Sequence, residues 1–344
     1  MQATPQRYLP SGVDHQDDSA SISNVPPAIS ILLPTFNGAR FLDQQLRSVL
    51  SQTCRDFELL IYDDGSNDDT WAIVRSQADN DTRISAWRGA ENVGQGEALR
   101  FLLENAAASL VSFCDQDDIW HLDKLQLLLQ GIGTADLAYG TSDLIDENGF
   151  DIGANIFFFA GRAIEGADPL RFLVGNTVSD HAMLVRREIV TMAHFCQPMP
   201  FDWLIATSAA ASNGLVYVKD ARTRHRLHDK NQMNTFGNQK PKRRATNREA
   251  QLRNLLCVVD AVADSPTAKP AVKASFARLR LITQHLLNSH RLNVRDANIV
   301  AEIEALRPIS RHDGDFHKLS RLYRRLGRGL LHPVTWRKAL RQAF

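Results

Sequence analysis

Between Ala28 and Ile132, short apolar runs alternate with stretches whose apolar residues fall at helical spacing, and this rhythm restricts the fold more than any other feature of the chain. "ISILLP" reads as a buried strand. "ARFLDQQLRSVLSQ" then places Phe41, Leu42, Leu46, Val49 and Leu50 on one helical face, and "DFELLIYDD" is a second strand. The pattern repeats: "DDTWAIVRSQA" helical, "RISAW" extended, "GEALRFLLENAAA" helical, "SLVSFCD" extended, "HLDKLQLLLQGI" helical. Strands alternating with helices of about ten residues build βαβ units. The expected fold is therefore α/β: a doubly wound, mostly parallel sheet with helices on both faces.

Around that unit, residues 1–27 are rich in Ser, Asp and Pro and lack apolar periodicity, so they read as a flexible leader with order beginning at Ala28. From "NREAQLRNLLCVVDAVA" onward, through "VKASFARLRLITQHLLNS" and "NIVAEIEAL", the spacing is helical. The expected division is a leader, a main domain over 28–240 with halves at 28–132 and 133–240, and a helical, basic region over 241–344. At 344 residues and 44% hydrophobic content, the chain can bury a full core and a smaller second element.

A net charge of +1 argues against a general nucleic-acid binder. The four cysteines, Cys54, Cys114, Cys196 and Cys257, are far apart and include no C-x-x-C pair, which predicts reduced thiols rather than a zinc knot or a disulfide framework. No apolar run reaches the 18 to 20 or so residues that span a bilayer, "NIFFFA" included, and the start lacks the order of a signal peptide. A cytoplasmic protein is expected.

Polar residues gather where the strands end. "PTFNG" follows the first strand, "DDGSND" the second and "DQDD" the fourth, and ligands of open α/β sheets bind outside the carboxyl ends of the strands. Each cluster alone has an ordinary explanation in turns and helix caps; three on one edge predict a site. "SFCDQDDIW" crowds three carboxylates, whose mutual repulsion a hard divalent cation would offset. A dinucleotide fingerprint is absent: "GQGEAL" sets Leu99 where the third small residue belongs and follows the third strand. No G-x-x-x-x-G-K-[ST] loop occurs.

Taken in order, "ISILLPTFNGARFLDQQLRSVLSQT", "FELLIYDDGSNDDT", "NVG" and "VSFCDQDDIWHLDKL" resemble the family 2 (GT-A fold) inverting glycosyltransferases, most closely the bacterial rhamnosyltransferase-like members of surface polysaccharide synthesis. The resemblance covers residues 28–132 and, more weakly, 175–231. It implies a nucleoside-diphosphate sugar donor, dTDP-rhamnose or a UDP-hexose, and a glycan or lipid-linked oligosaccharide acceptor. It also implies Mg²⁺ or Mn²⁺ held by Asp115 and Asp117, with Asp117 the main ligand and Asp115 reaching the donor ribose. Thr35, Asn37 and Asp64, with Asp63 beside it, would form the nucleotide pocket. Asp118 is left to cap the helix expected near Trp120.

Asp202 of "PFDWL" stands where the related enzymes place their base, ahead of an amphipathic helix "WLIATSAAA". Phe201 and Leu204 depart from the His and second Trp usual there. An N-cap is its structural alternative. In "RHRLHDKN", the resemblance gives His228 a place in the metal shell or on the diphosphate and Arg226 fixed positive charge beside it, with Asn231 completing the pattern and His225 standing where Tyr is usual. The polar, basic "NQMNTFGNQKPKRR" suits a lid over bound donor.

The tail over 307–344 interleaves many Arg and Lys with Leu319, Leu322, Tyr323, Leu326, Leu330 and Trp336. That pattern has two readings: a helix on the anionic inner face of a membrane, near a lipid-linked acceptor, or a docked helix with its charged side to water. Gly327, Gly329 and Pro333 interrupt it. Two other functions compete for the whole chain. One is a carbohydrate-binding or scaffolding protein on an inactive GT-A fold. The other is a nucleotidyltransferase, which would want a glycine-rich, Lys/Arg-bearing loop that "PTFNGAR" is not.

Overall fold

A computed structural model describes residues 5–9, 26–157, 162–173, 175–191, 194–195, 199–229 and 248–288. Asn231, the expected lid, "NIVAEIEAL" and the basic tail lie outside them.

The main sheet carries strands β1 (Gln6–Arg7), β2 (Ile29–Thr35), β3 (Phe57–Asp63), β4 (Ile84–Arg88), β5 (Leu110–Phe113), β6 (Ile119–Trp120), β7 (Leu137–Ile145), β8 (Asp151–Asn155), β9 (Met183–Arg186) and β10 (Leu215–Arg226). Their order is β1-β4-β3-β2-β5-β9-β7-β10-β6, with β8 beside β7. The pairs β2/β3, β3/β4, β2/β5 and β7/β10 are parallel. β9 is antiparallel to both β5 and β7 and so joins the two parallel halves.

Alternation along the strands creates two cores, because successive side chains point to opposite faces. Ile29, Ile31 and Leu33 of β2 and Leu59 and Ile61 of β3 face one layer. There they meet Leu42, Leu46 and Val49 of α1 (Ala39–Leu50), Val74 and Ala78 of α2 (Thr70–Asn80), and Leu125 and Leu128 of α4 (Lys124–Gly131). Leu32, Leu60 and Tyr62 face the other way, onto Ala98, Leu99, Leu102 and Leu103 of α3 (Gln95–Asn105) and Ile205, Ala206, Ala209 and Ala210 of α5 (Phe201–Ala211). The doubly wound sheet expected from the sequence is what forms.

α5 departs from expectation. It is not amphipathic: every residue from Leu204 to Ala211 is buried, because Leu204 and Ala211 pack against α6 (Arg248–Ala263) and α7 (Pro270–Asn288) while Ile205 and Ala206 face the sheet. A helix apolar all round needs partners on every side, and the following helical pair supplies the second side. Among the described residues, no helix is long and apolar enough to cross a membrane.

The leader is likewise not loose throughout. Residues 6 and 7 pair antiparallel with Arg88 and Trp87, and the Tyr8 amide donates to the Ala86 carbonyl at 2.8 Å. These three residues cover the β4 edge of the sheet.

Two glycines are dictated by close approach. β10 shifts register between Tyr217 and Arg222, and the bulge drives the Ala221 carbonyl onto Gly140, where a Cβ would sit 1.6 Å from its oxygen. Beyond the bulge, β10 runs on beside β7 to Arg226↔Ile145 and reaches the acidic turn. Gly38, after β2, leaves room for the Gln116 side chain, whose Oε1 would be 2.2 Å from a Cβ.

Candidate active site

The three polar loops after β2, β3 and β5 are sewn together by their own side chains. The Asn37 amide donates to Ser66 Oγ at 2.9 Å and Asn37 Oδ1 accepts from the Asn67 amide at 3.0 Å, with Asn37 in the left-handed region at φ 47°. The first amides of α1 have no side-chain cap of their own; Gly38 N donates to Thr70 Oγ1 and Ala39 N to Asp68 Oδ2, both from the next loop. Gln116 holds the Phe36 amide and carbonyl at 2.9 and 3.1 Å. These bonds satisfy loop backbone that would otherwise need water.

Thr35, Asp63 and Asp64 lie together at the ends of β2 and β3, and all three are buried. Thr35 Oγ1 sits 3.3 Å from Asp63 Oδ1, which also accepts from Ser66 Oγ. Asp63 Oδ2 faces the Arg88 guanidinium at 3.2 Å, at an angle short of a hydrogen bond. Burial, against those partners, pushes its carboxyl above the usual range. Both oxygens of Asp64 accept backbone amides, from Val93 at 2.7 Å and Gly94 at 2.8 Å. Thr35, Asp63 and Asp64 are thus brought together at the strand ends, and Asp64 holds the loop after β4 against them.

Of the three carboxylates in the turn after β5, Asp115 and Asp118 reach the same His181 nitrogen, while Asp117 pairs with His228. Asp117 Oδ2 stands 2.8 Å from His228 Nε2, just past the end of β10. Asp118 corrects an expectation: it caps no helix, because Ile119 and Trp120 form a strand paired with Thr223 and Arg224 of β10, and α4 begins only at Lys124. Its carboxylate turns inward instead, 0% exposed, accepting from His225 Nδ1 at 2.9 Å and the Arg226 amide at 3.0 Å. Burial alone would raise it, yet the His225 and His181 charges hold it at about 2.

Arg226 corrects a second expectation. It is 1% exposed, and its guanidinium donates to the carbonyls of Asp117 at 2.8 Å and Glu147 at 3.0 Å and to Gln44 Oε1 at 2.7 Å, over the Phe41 ring. Its planar fork of donors is spent on the protein, where it holds the acidic turn from behind.

The residue the sequence analysis passed over is His181, in "SDHAM" ahead of β9. Its buried ring reaches Asp115 at 3.3 Å, Asp180 at 3.5 Å and Asp118 at 3.8 Å through Nδ1, and Ser142 Oγ at 2.8 Å through Nε2. Burial opposes its charge, but these carboxylates lift it well above the ordinary imidazole value. Its backbone carbonyl accepts from Lys124 Nζ, a buried ammonium that also lies 3.2 Å from the Trp120 ring centre and that burial lowers to about 7. No motif marks His181; the one signal was an Asp-His pair just before a strand.

Asp202 lies in the first turn of α5, behind Pro200 as N-cap, with Oδ1 on the Trp203 amide. It is therefore not the N-cap. Burial, then the charges of Asp180 and Asp115 against that of His181, pushes its carboxyl up to about 8. Burial, then the charges of Asp180 and Asp118 against the hydrogen bond and charge of His181, brings Asp115 to about 7. Asp180 thus bears on both Asp115 and Asp202, so the turn after β5 and the first turn of α5 share one electrostatic environment.

Two groups could hold a divalent ion. Asp115, Asp118, His181 and His225 offer ligand atoms within 4.8 Å of one another. However, the His181 and His225 rings are stacked parallel, 4.5 Å apart at 2°, so their in-plane lone pairs do not converge. Without an ion, that inner group is held as a network of ion pairs and hydrogen bonds. The Asp117–His228 pair is the other candidate: its hydrogen-bonded atoms stand 2.8 Å apart, near the roughly 3 Å between adjacent donors on an octahedral ion with bonds of ~2.1 Å.

Residues 30–191 match the model described as glycosyl transferase family 2. Over that stretch the chain is similar to family 2 glycosyltransferases. The chain is also 30% identical over 171 residues, 49% of its own length and 66% of the relative's, to an uncharacterized glycosyltransferase of Haemophilus influenzae. It is 34% identical over 109 residues, 32% of its length and 43% of the relative's, to the putative teichuronic acid biosynthesis glycosyltransferase TuaG of Bacillus subtilis. The chain spans less than two thirds of these curated relatives. Among solved structures, S. aureus TarS 1-349 in complex with UDP-GlcNAc superposes with a TM-score of 0.56 at 17% identity, covering 91% of each chain. That likeness is one of fold, and the sheet with its helical extension has the expected GT-A architecture.

Proposed function

We propose that this chain is an inverting glycosyltransferase that passes one sugar from a nucleoside-diphosphate donor to a saccharide acceptor. One observation carries the reading: Asp202 lies within electrostatic reach of Asp115 and Asp180, on the same site where Asp117 meets His228. That proximity supports a reading in which base and diphosphate act at one edge of the sheet.

Asp117 and His228, with Asp115 beside them, would hold Mg²⁺ or Mn²⁺. Such an ion, when bound, supplies Lewis-acid stabilisation of the charge that develops on a departing diphosphate. Arg226 fixes the backbone of Asp117 so that its carboxylate need not be oriented at the moment of reaction. Asp202, once ionised, takes the proton of the acceptor hydroxyl as that oxygen attacks the anomeric carbon from the face opposite the leaving group. The bond from that carbon to the diphosphate oxygen breaks, and the configuration inverts. Thr35, Asn37, Asp63 and Asp64 shape the nucleotide end.

A dTDP- or UDP-linked donor, rhamnose or a hexose, and an acceptor in a bacterial surface polysaccharide are the finer parts of the proposal; the name of the Bacillus subtilis relative supports the second. The test is release of nucleoside diphosphate from a panel of dTDP-, UDP- and GDP-sugars, with chelator and with Mg²⁺ or Mn²⁺ restored. Turnover that disappears with chelator and returns with the ion is expected. No binding or hydrolysis of any donor would leave a saccharide-binding scaffold.

A further inference from the structure

Tyr8 belongs to a segment the sequence reads as loose leader, yet it lies at the end of a continuous chain of contacts that reaches the expected nucleotide pocket. Its hydroxyl donates to Asp79 Oδ1 at 2.7 Å, and the Arg75 guanidinium lies 5.2 Å from its ring. Its ring stands edge-on to Trp71, centroids 5.9 Å apart at 85°. Edge-to-face is the arrangement that the charge distribution of aromatic rings favours. Trp71 is held on another side by the Arg88 guanidinium, 5.7 Å from its ring centre.

Arg88 is the link to chemistry. It is the residue paired with Gln6 across the sheet edge. Its terminal nitrogen donates to the Ser66 carbonyl at 2.7 Å, and its Nε faces Asp63 Oδ2 at 3.2 Å. Its side chain is 42% exposed, so in the absence of Trp71 a long, flexible cation would have ample room to turn to water. Asp63 is fully buried, and a buried carboxylate that loses a facing cation is costly. Without Arg88 in place, the 63–68 turn would lose an anchor, and with it the bonds from Ser66 and Asn67 that fix Asn37.

We propose that Tyr8 is a positioning residue for the donor pocket, acting through Trp71 and Arg88 on the loop at 63–68. The inference rests on the donor reading for its consequence in binding, though not for its consequence in the loop. The experiment compares the full chain with Tyr8→Ala and Tyr8→Phe, by calorimetric titration with uridine diphosphate and thymidine diphosphate in Mn²⁺ and by hydrogen exchange without nucleotide. Tyr8→Ala should speed exchange at 63–68 and weaken diphosphate binding by roughly three- to tenfold, the size of one aromatic pair passed on to the pocket. Tyr8→Phe, which keeps the ring on Trp71, should match the parent in both. Unchanged exchange at 63–68 in Tyr8→Ala, even with a lowered Tm, overturns the proposal. So does a Tyr8→Phe chain as impaired as Tyr8→Ala. Should the parent bind neither diphosphate, the donor reading fails, and the exchange result still decides the role of Tyr8.

Discussion

His228 Nε2 stands 2.8 Å from Asp117 Oδ2 and so joins the last described turn of β10 to the acidic turn after β5. The two residues are 111 positions apart, and the antiparallel pairing of Ile119 with Arg224 sets the turn that carries Asp117 beside the end of β10. Asp117→Ala should abolish divalent-ion-dependent donor binding with little change in Tm. Calorimetry with and without Mn²⁺ checks this, and unchanged affinity removes Asp117 from the ligand set.

Asp202→Asn should lower kcat by roughly 10²- to 10⁴-fold, the usual worth of a positioned base, and leave donor affinity near the parent value. Steady-state kinetics beside donor titration separates the two; normal turnover rejects the base.

With the Asp202 carboxyl raised to about 8 in the free protein, kcat/KM should climb as pH rises toward that value, since the base works only when ionised. Stability moves the other way. The folded chain keeps a proton that the unfolded chain gives up near 3.8, so the folded state binds more protons between the two values and this contribution falls as pH rises through that window. Asp118 acts oppositely: held at about 2, it favours the fold above 3.8 and loses that contribution as pH falls toward 2. In Asp202→Asn, the fall in Tm between pH 4 and 8 should flatten.

His181→Ala should destabilise the chain by about 2 to 4 kcal/mol, because it leaves the buried carboxylate of Asp118 and those of Asp115 and Asp180 short of a cation. Urea denaturation measures it. A loss below about 0.5 kcal/mol, the size of an ordinary surface change, would mean the network is not held by that ring.

Gly38→Ala should cost about 1 to 3 kcal/mol, as overpacked sites do, by pushing Gln116 off the Phe36 backbone. The same change on a Gln116→Ala background should cost far less. A double-mutant cycle from thermal unfolding gives the coupling, and additive effects would show that Gln116 is not what Gly38 accommodates.

The parallel half of the fold was legible because buried strands and one-faced helices each leave a period in the sequence, and the polar ends of those strands mark where a ligand edge lies. What stayed hidden depends on long-range partners. Asp118 looked like a cap because Asp before a helix usually is one; the two-residue strand at 119–120 exists only because β10 lies alongside. Arg226 looked open to a ligand because nothing local covers it; Gln44, Phe41 and the 146–147 turn do. His181 carries no spacing signal, since its partners come from the turn after β5 and from β7. α5 read as amphipathic until α6 and α7 covered its outer side.

That last arrangement binds the fate of the extension to that of the chemistry. Helix 201–211 is a shared wall between the sheet and the helical pair, and Asp202 sits on its first turn. The pair at 248–288 is thus no detachable module: grafting a different one, or trimming it away, would strip one side of that wall and tilt the carboxylate it carries.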